Sequence, residues 1–209
     1  YTKQCEQKIN EFVGRKHTYL TTSGTASITL MLLAQGIGPG DEVICTNFSC
    51  PATVMPIKML GAVPVFTDIN RYGQQDLTTV KSLITNKTKA IMITDLYGDC
   101  NDYDAVLDLG LPVLNDSAQS FLTTYKGKQT VAIGDMSIIS FSTNKNCPVF
   151  GTYGSISTDN HQLAEMLRVM RKNGYENRDV GESINYIGMN ANPTEDKAIQ
   201  LLCSLEMLP

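Results

Sequence analysis

The 209-residue sequence predicts an α/β fold: three layers, α/β/α, around a mostly parallel sheet. Three observations predict it. Short apolar runs of strand length alternate with helical patterns at regular intervals, and strand–helix–strand repetition of this kind means a doubly wound parallel sheet. Two runs, Pro112–Gln119 and Ser137–Lys145, are each apolar first and polar last, as a buried parallel strand reads where its C-terminal end opens into a site. The length suits one sizeable domain with a substantial core, and no internal repeat or low-complexity linker divides it.

Taken in order, Lys3–Val13 places Cys5, Ile9, Phe12 and Val13 on one helical face, and Gly14 ends that helix. Tyr19–Thr22 is a short extended entry to Ser23-Gly24-Thr25. Ala26, Ile28, Leu30, Leu32 and Leu33 then read as a buried helix. Gly38–Asp41 is a turn, Glu42–Cys45 a strand and Thr46–Cys50 a loop, after which Pro51 is an acceptable first helical residue. Val63–Phe66 is the next strand, running out at Asp68. Asp76 caps a helix carrying Leu77, Val80, Leu83 and Ile84. Ala90–Thr94 is a β-rich run leading into Asp95-Leu96-Tyr97-Gly98. Asp104–Leu109 is a short helix, and Gly110 precedes the strand that reaches Asp116. Asp159 opens a helix with Leu163, Met166, Leu167 and Met170 on its inner side, a core stripe rather than a cofactor box. A final amphipathic helix follows Gly188–Pro193.

Composition excludes several function classes. A net charge of −4 leaves no basic footprint for nucleic acid. No apolar run reaches transmembrane length, and the first residues do not read as a signal peptide. Six cysteines, at 5, 45, 50, 100, 147 and 203, form no Cys-x-x-Cys pair, and two histidines give no zinc pattern. The expectation is a cytoplasmic protein with reduced thiols and no metal.

The two strand tips carry the chemistry. One offers a carboxylate, Asp116, and the other an amine, Lys145; in an open α/β sheet, ligands bind outside the carboxyl ends of the strands. That pair suits pyridoxal 5′-phosphate (PLP). A lysine forms a Schiff base with its aldehyde, and a carboxylate keeps its pyridine nitrogen protonated so that the ring acts as an electron sink. A structural ion pair would have the same sequence. Upstream, the small turn Thr21–Ser27 runs into a helix and leaves backbone N–H groups aimed at an anion; an ordinary N-cap by Ser23 or Thr25 uses the same residues.

These segments, together with Gly38–Ile44, Gly61–Ile69, Leu96-Tyr97-Gly98, Asn115–Gln119 and Ser140–Lys145, resemble the DegT/DnrJ/EryC1/StrS family of PLP-dependent sugar aminotransferases, a fold-type I class. The resemblance covers nearly the whole chain, in order. It implies that Lys145 holds PLP and moves the proton between the donor's α-carbon and the cofactor's C4′. It also implies that Asp116 pairs with the ring nitrogen, and that Gln119, read as one helical turn further on, bonds the ring hydroxyl. Gly24, Thr25 and Ser140 would take the phosphate, Cys50 would sit where many relatives stack an aromatic on the ring, and Asn190 would reach the phosphate of a partner subunit in a homodimer. For Ser140 a locally satisfied strand-end hydroxyl, for Cys50 plain packing, and for Asn190 a loop residue capping its own backbone are the alternatives. The implied substrates are an amino-acid donor, glutamate, and a nucleotide-linked keto-deoxysugar. Other readings are a PLP-dependent sugar dehydratase, against which Lys145 argues, and a non-catalytic or regulatory PLP-binding relative.

The chain departs from the family pattern at Cys50, at Asp95 where many relatives carry His, at Thr152 and Tyr153 within the usual Gly-Glu-Gly-Gly, and at Asn192 where an Arg is usual. It starts at Tyr1 and stops at Pro209, where family members continue into a smaller C-terminal domain. The expectation is therefore one PLP-binding large domain over residues 1–209, with the small domain absent or truncated.

Overall fold

The computed structural model describes residues 1–176 and 186–208. Helix α1 (Thr2–Val13) buries Cys5, Ile9 and Val13 and ends on Gly14 in a left-handed conformation at φ 73°. Strand β1 (His17–Thr21) leads into α2 (Gly24–Ala34), then come β2 (Glu42–Thr46), α3 (Pro51–Met59), β3 (Val63–Thr67), α4 (Val80–Leu83), β4 (Thr88–Thr94), α5 (Asp104–Leu107) and β5 (Val113–Asp116). A two-stranded hairpin, β6 (Thr124–Tyr125) and β7 (Lys128–Gln129), precedes β8 (Met136–Ser140), β9 (Gly154–Thr158), α6 (His161–Met170) and α7 (Glu195–Glu206).

Seven strands form one sheet in the order β1-β9-β8-β5-β4-β2-β3. The pairs from β8 through β5, β4 and β2 to β3 are parallel, while β9 is antiparallel to both β1 and β8. Alternate residues of the central strands feed opposite cores, because side chains of a strand point to opposite faces. Val43, Cys45, Ala90, Met92, Leu114, Met136, Ile138 and Ile156 pack under α2, α3 and α6. On the other face Ile44, Ile91, Ile93 and Val113 pack with Tyr103 and Val106, and Leu20 and Ile139 pack with α1 and α7. The predicted three-layer fold with a mostly parallel sheet is the observed one.

Three local expectations need correction. Asp76 does cap, accepting from the Thr78 N–H, but what it caps is a 3₁₀ turn over Leu77–Thr79 that gives way to the single α turn of α4. Asp104 opens a helix that stops at Leu107, not Leu109. Helix α6 is capped by Asn160, whose side chain accepts from the Gln162 and Leu163 N–H groups, and not by Asp159. Asp159 is engaged elsewhere: it accepts from Arg15 Nη1 at 3.0 Å, and Arg15 also donates to the carbonyls of Val131, Ile133 and Gly134. That clasp ties the entry of β1 to the segment before β8.

Candidate active site

A cavity of about 260 Å³ lies at the carboxyl ends of β4, β5 and β8, beside the N-terminal turns of α2 and α3. Strand order reverses here: β4, β5 and β8 succeed one another in one direction and β2 and β3 in the other, so a crevice opens between them.

Strand register builds one end of the cavity. Thr21, Gly154 and Ser140 stand in one row across β1, β9 and β8. The turn after Thr21 therefore lies directly over Ser140, and a Cβ on Gly24 would stand 3.1 Å from Ser140 Cβ. Ser23 caps α2, its hydroxyl accepting from the Ala26 N–H at 3.0 Å, and its carbonyl accepts from Ser27 N. Helix geometry leaves the Gly24 and Thr25 N–H groups without an intrahelical acceptor, at the positive end of the helix dipole. The turn that Ser23 caps is thus the same turn whose free N–H groups lie at the cavity. Ser23, Gly24, Thr25, Ser140 and Ser142 all line the cavity there.

At the other end Asp116 is 4% exposed. Its Oδ2 accepts from Thr53 Oγ1 at 2.7 Å and its Oδ1 from the Ala118 N–H at 3.2 Å. Burial pushes its pKa up; the Thr53 and Ala118 hydrogen bonds and the positive Lys145 pull in the opposite direction. Lys145 sits in the turn that follows β8, with its N–H donating to Ser142 O at 2.9 Å. Asp116 and Lys145 both face the cavity, yet no ion pair joins them. A structural ion pair between the two is therefore not what these residues form, and Lys145 has no ion-pair partner among the described residues.

Gln119 also lines the cavity, from a turn and not from a helix. Its Oε1 accepts from the Tyr97 N–H at 3.0 Å, which turns its amide NH2 to the other side as a donor. Cys50 lines the cavity at the N-cap of α3. Thr94 contributes a buried hydroxyl with no hydrogen-bond partner among the described residues. Of the sequence-predicted residues, Gly24, Thr25, Cys50, Asp116, Gln119, Ser140 and Lys145 meet in this one cavity. Asn190 does not: it is exposed and pairs with Lys172 in an isolated bridge.

The departures at Thr152 and Tyr153 leave the loop intact. Tyr153 is buried among Cys5, Ile9, Ala198 and Leu201, its hydroxyl donating to Thr194 O at 3.2 Å. Thr143 and Gly151 bond across the loop's base, so residues 142–152 form a closed excursion that presents Lys145. Sequence reasoning missed Thr53 and Thr94. A hydroxyl in the first turn after Pro51 was the signal for Thr53, but its partner lies 63 residues away.

The whole chain, residues 1–209, matches the model of the DegT/DnrJ/EryC1/StrS aminotransferase family. The chain belongs to this family. It is 36% identical over 180 residues to the UDP-2-acetamido-2-deoxy-3-oxo-D-glucuronate aminotransferase of Pseudomonas aeruginosa, a match covering 84% of this chain and 50% of that protein. Its fold superposes on S. venezuelae DesV, solved with a ketimine intermediate, at TM-score 0.93 and 30% identity, covering 98% of this chain and 56% of the other. NtdA of Bacillus subtilis, solved with bound cofactor PMP, matches at TM-score 0.91 and 30% identity over 99% of this chain and 48% of that one. The chain thus spans about half the length of the relatives it matches. No helix among the described residues is long and apolar enough to cross a membrane, and no group of three metal-ligating side chains gathers among them.

Proposed function

We propose that residues 1–209 form the PLP-binding large domain of an aminotransferase. It would move an amino group from an amino acid, glutamate by family resemblance, to a keto carbon of a nucleotide-linked deoxysugar for amino-sugar biosynthesis. The observation that carries the proposal is the convergence in one cavity of a lysine with no ion-pair partner among the described residues, a buried carboxylate and a helix N-terminus lined with hydroxyls. The donor set fits PLP at both ends. The close approach of Gly24 to Ser140 leaves backbone N–H groups and hydroxyls facing a phosphate, and Asp116, dry and held by Thr53, suits a protonated ring nitrogen.

When bound, PLP supplies an electron sink for the electrons of the donor's α-carbon bond. The chain does the rest. The α2 turn and Ser140 bind the phosphate, and Gln119 donates to the ring hydroxyl. Asp116 holds the proton at the ring nitrogen, an interaction strengthened by the exclusion of water. Lys145 Nζ fixes the cofactor and moves a proton between the donor's α-carbon and C4′ of the cofactor. Asn190 would serve a partner subunit's site in a homodimer; its exposure outside this chain's own cavity supports that reading. All six cysteines are free, which suits the cytoplasm.

The test is turnover by the PLP-loaded protein with glutamate and a UDP-linked 3-keto sugar. Stoichiometric 2-oxoglutarate and amino sugar support the proposal. Ammonia in place of amino sugar points to a dehydratase, and PLP binding without turnover of any amino donor points to a regulatory relative.

A further inference from the structure

The cavity wall holds a second buried carboxylate to which the reading above gives no role. Asp95 follows directly on β4, and Thr94, the residue before it, is the strand partner of Asp116. Its own N–H donates to Asp116 O at 3.2 Å, and its side chain is 1% exposed while lining the same cavity.

The groups that hold this carboxylate are all uncharged. Oδ2 accepts from the Tyr103 hydroxyl at 2.5 Å and from Ser120 Oγ at 3.5 Å. Oδ1 accepts from the Asn101 N–H at 3.0 Å and from Asn101 Nδ2 at 2.9 Å. The Tyr103 hydroxyl in turn accepts from Asn115 Nδ2 at 2.6 Å, on the residue preceding Asp116. No described cation pairs with Asp95. Burial pushes the Asp95 carboxyl up, and the Tyr103 and Asn101 hydrogen bonds pull in the opposite direction. Donors of this kind favour the carboxylate without adding a positive charge that would cancel its field. The titratable groups around it are Tyr103, Cys100 and Asp116, with Lys145 acting on Asp116. Burial and the Asp95 charge push Tyr103 and Cys100 up, so both stay neutral near pH 7.

We propose that Asp95 is a positioning residue that acts through Asp116: two strand-end carboxylates, not one, hold the proton on the cofactor's ring nitrogen. This rests on the PLP reading above. It gives the family departure at position 95 a physical content, since a carboxylate there adds negative charge to the ring-nitrogen end that a neutral side chain would not.

The test is 15N NMR of ring-labelled PLP bound to the protein, followed against pH, in wild type, Asp95→Asn and Asp116→Asn. Asp95→Asn keeps an acceptor for the Asn101 N–H, and the Tyr103 hydroxyl can turn to accept from the new amide, so charge is the main thing removed. The midpoint for loss of the ring-nitrogen proton is expected to fall by roughly one pH unit in Asp95→Asn, the scale of one neighbouring charge. It should fall further in Asp116→Asn. A midpoint equal to wild type in Asp95→Asn, with PLP bound, overturns the inference and leaves the PLP reading standing. Failure of wild type to bind PLP overturns both. Should Asp95→Asn not fold, Tyr103→Phe removes the shortest donor to the carboxylate. Its midpoint should fall in the same direction by less, and an unmoved midpoint there overturns the inference equally.

Discussion

Gly154 is where strand β9 meets the Ser23-Gly24 turn, and Gly154→Ala perturbs both. A Cβ at this position would stand 2.6 Å from Gly24 N and from the Ser23 carbonyl carbon, and 2.8 Å from Ser23 O. All three are backbone atoms, so no side chain can rotate away. Ordinary contact begins at 3.4 Å, so something must give by 3.4 − 2.6 = 0.8 Å. Gly154 is not among the glycines with positive φ, which makes the cost steric and not conformational. β9 is paired on both sides, to Thr21 and to Ser140, so the turn yields rather than the strand. Overpacking of this kind costs about 1–3 kcal/mol, and rigid backbone neighbours place it toward the upper end. At about 2–4 °C per kcal/mol for a domain of this size, Tm should fall by about 5–10 °C. A turn displaced this far loses about one charge-assisted hydrogen bond to the phosphate, roughly a tenfold rise in the Kd for PLP. Thermal melts of the apo protein and a PLP titration by absorbance measure both. Gly14→Ala is the control: its Cβ meets nothing within 4 Å, but φ is +73°, so it should lower Tm and leave PLP affinity alone. Gly154→Ala with wild-type PLP affinity and a Tm within about 1 °C of wild type would refute the close approach on which the proposed phosphate site rests.

Two further outcomes follow from the same site. Asp116 has its pKa raised by burial, so its contribution to folding is fully present below its unfolded pKa and is lost as pH rises through the folded one. Apo Asp116→Asn should therefore melt above wild type at pH 8, with the gap narrowing as pH falls toward the carboxylate range, while its affinity for PLP drops; a variant less stable than wild type at pH 8 contradicts this. Ser23→Ala removes the cap on α2 and should cost about 1 kcal/mol, seen as a Tm about 2–4 °C lower. An unchanged Tm would mean that the Ser23 hydroxyl does not hold the turn.

Much of this was legible in the sequence because buried parallel strands write themselves as apolar runs with polar tips. Val113–Asp116 and Met136–Ser140 are such runs, and their tips are where the cavity lies. Direction and pairing are not written that way. Gly154–Thr158, with three small residues in five, gives no sign that it runs antiparallel between β1 and β8, yet that register sets Ser140 under the Gly24 turn. Asp159 and Asn160 are both good caps on propensity, and the Arg15 guanidinium, distant in sequence, decides between them. Gln119 reads as helical from its spacing to Asp116 but is held in a turn by Tyr97. The Asp95 network was illegible because Asn101 and Tyr103 become its partners only once the turn after β4 folds back.

The most direct test of the central claim is the visible spectrum of the purified protein with PLP, wild type against Lys145→Ala, before and after glutamate. Wild type is expected to show the absorbance band of lysine-bound cofactor, which glutamate bleaches to the amine form. Lys145→Ala is expected to lack the band while still taking up PLP through its phosphate. The same band in Lys145→Ala, or no band in wild type saturated with PLP, would contradict the assignment of Lys145.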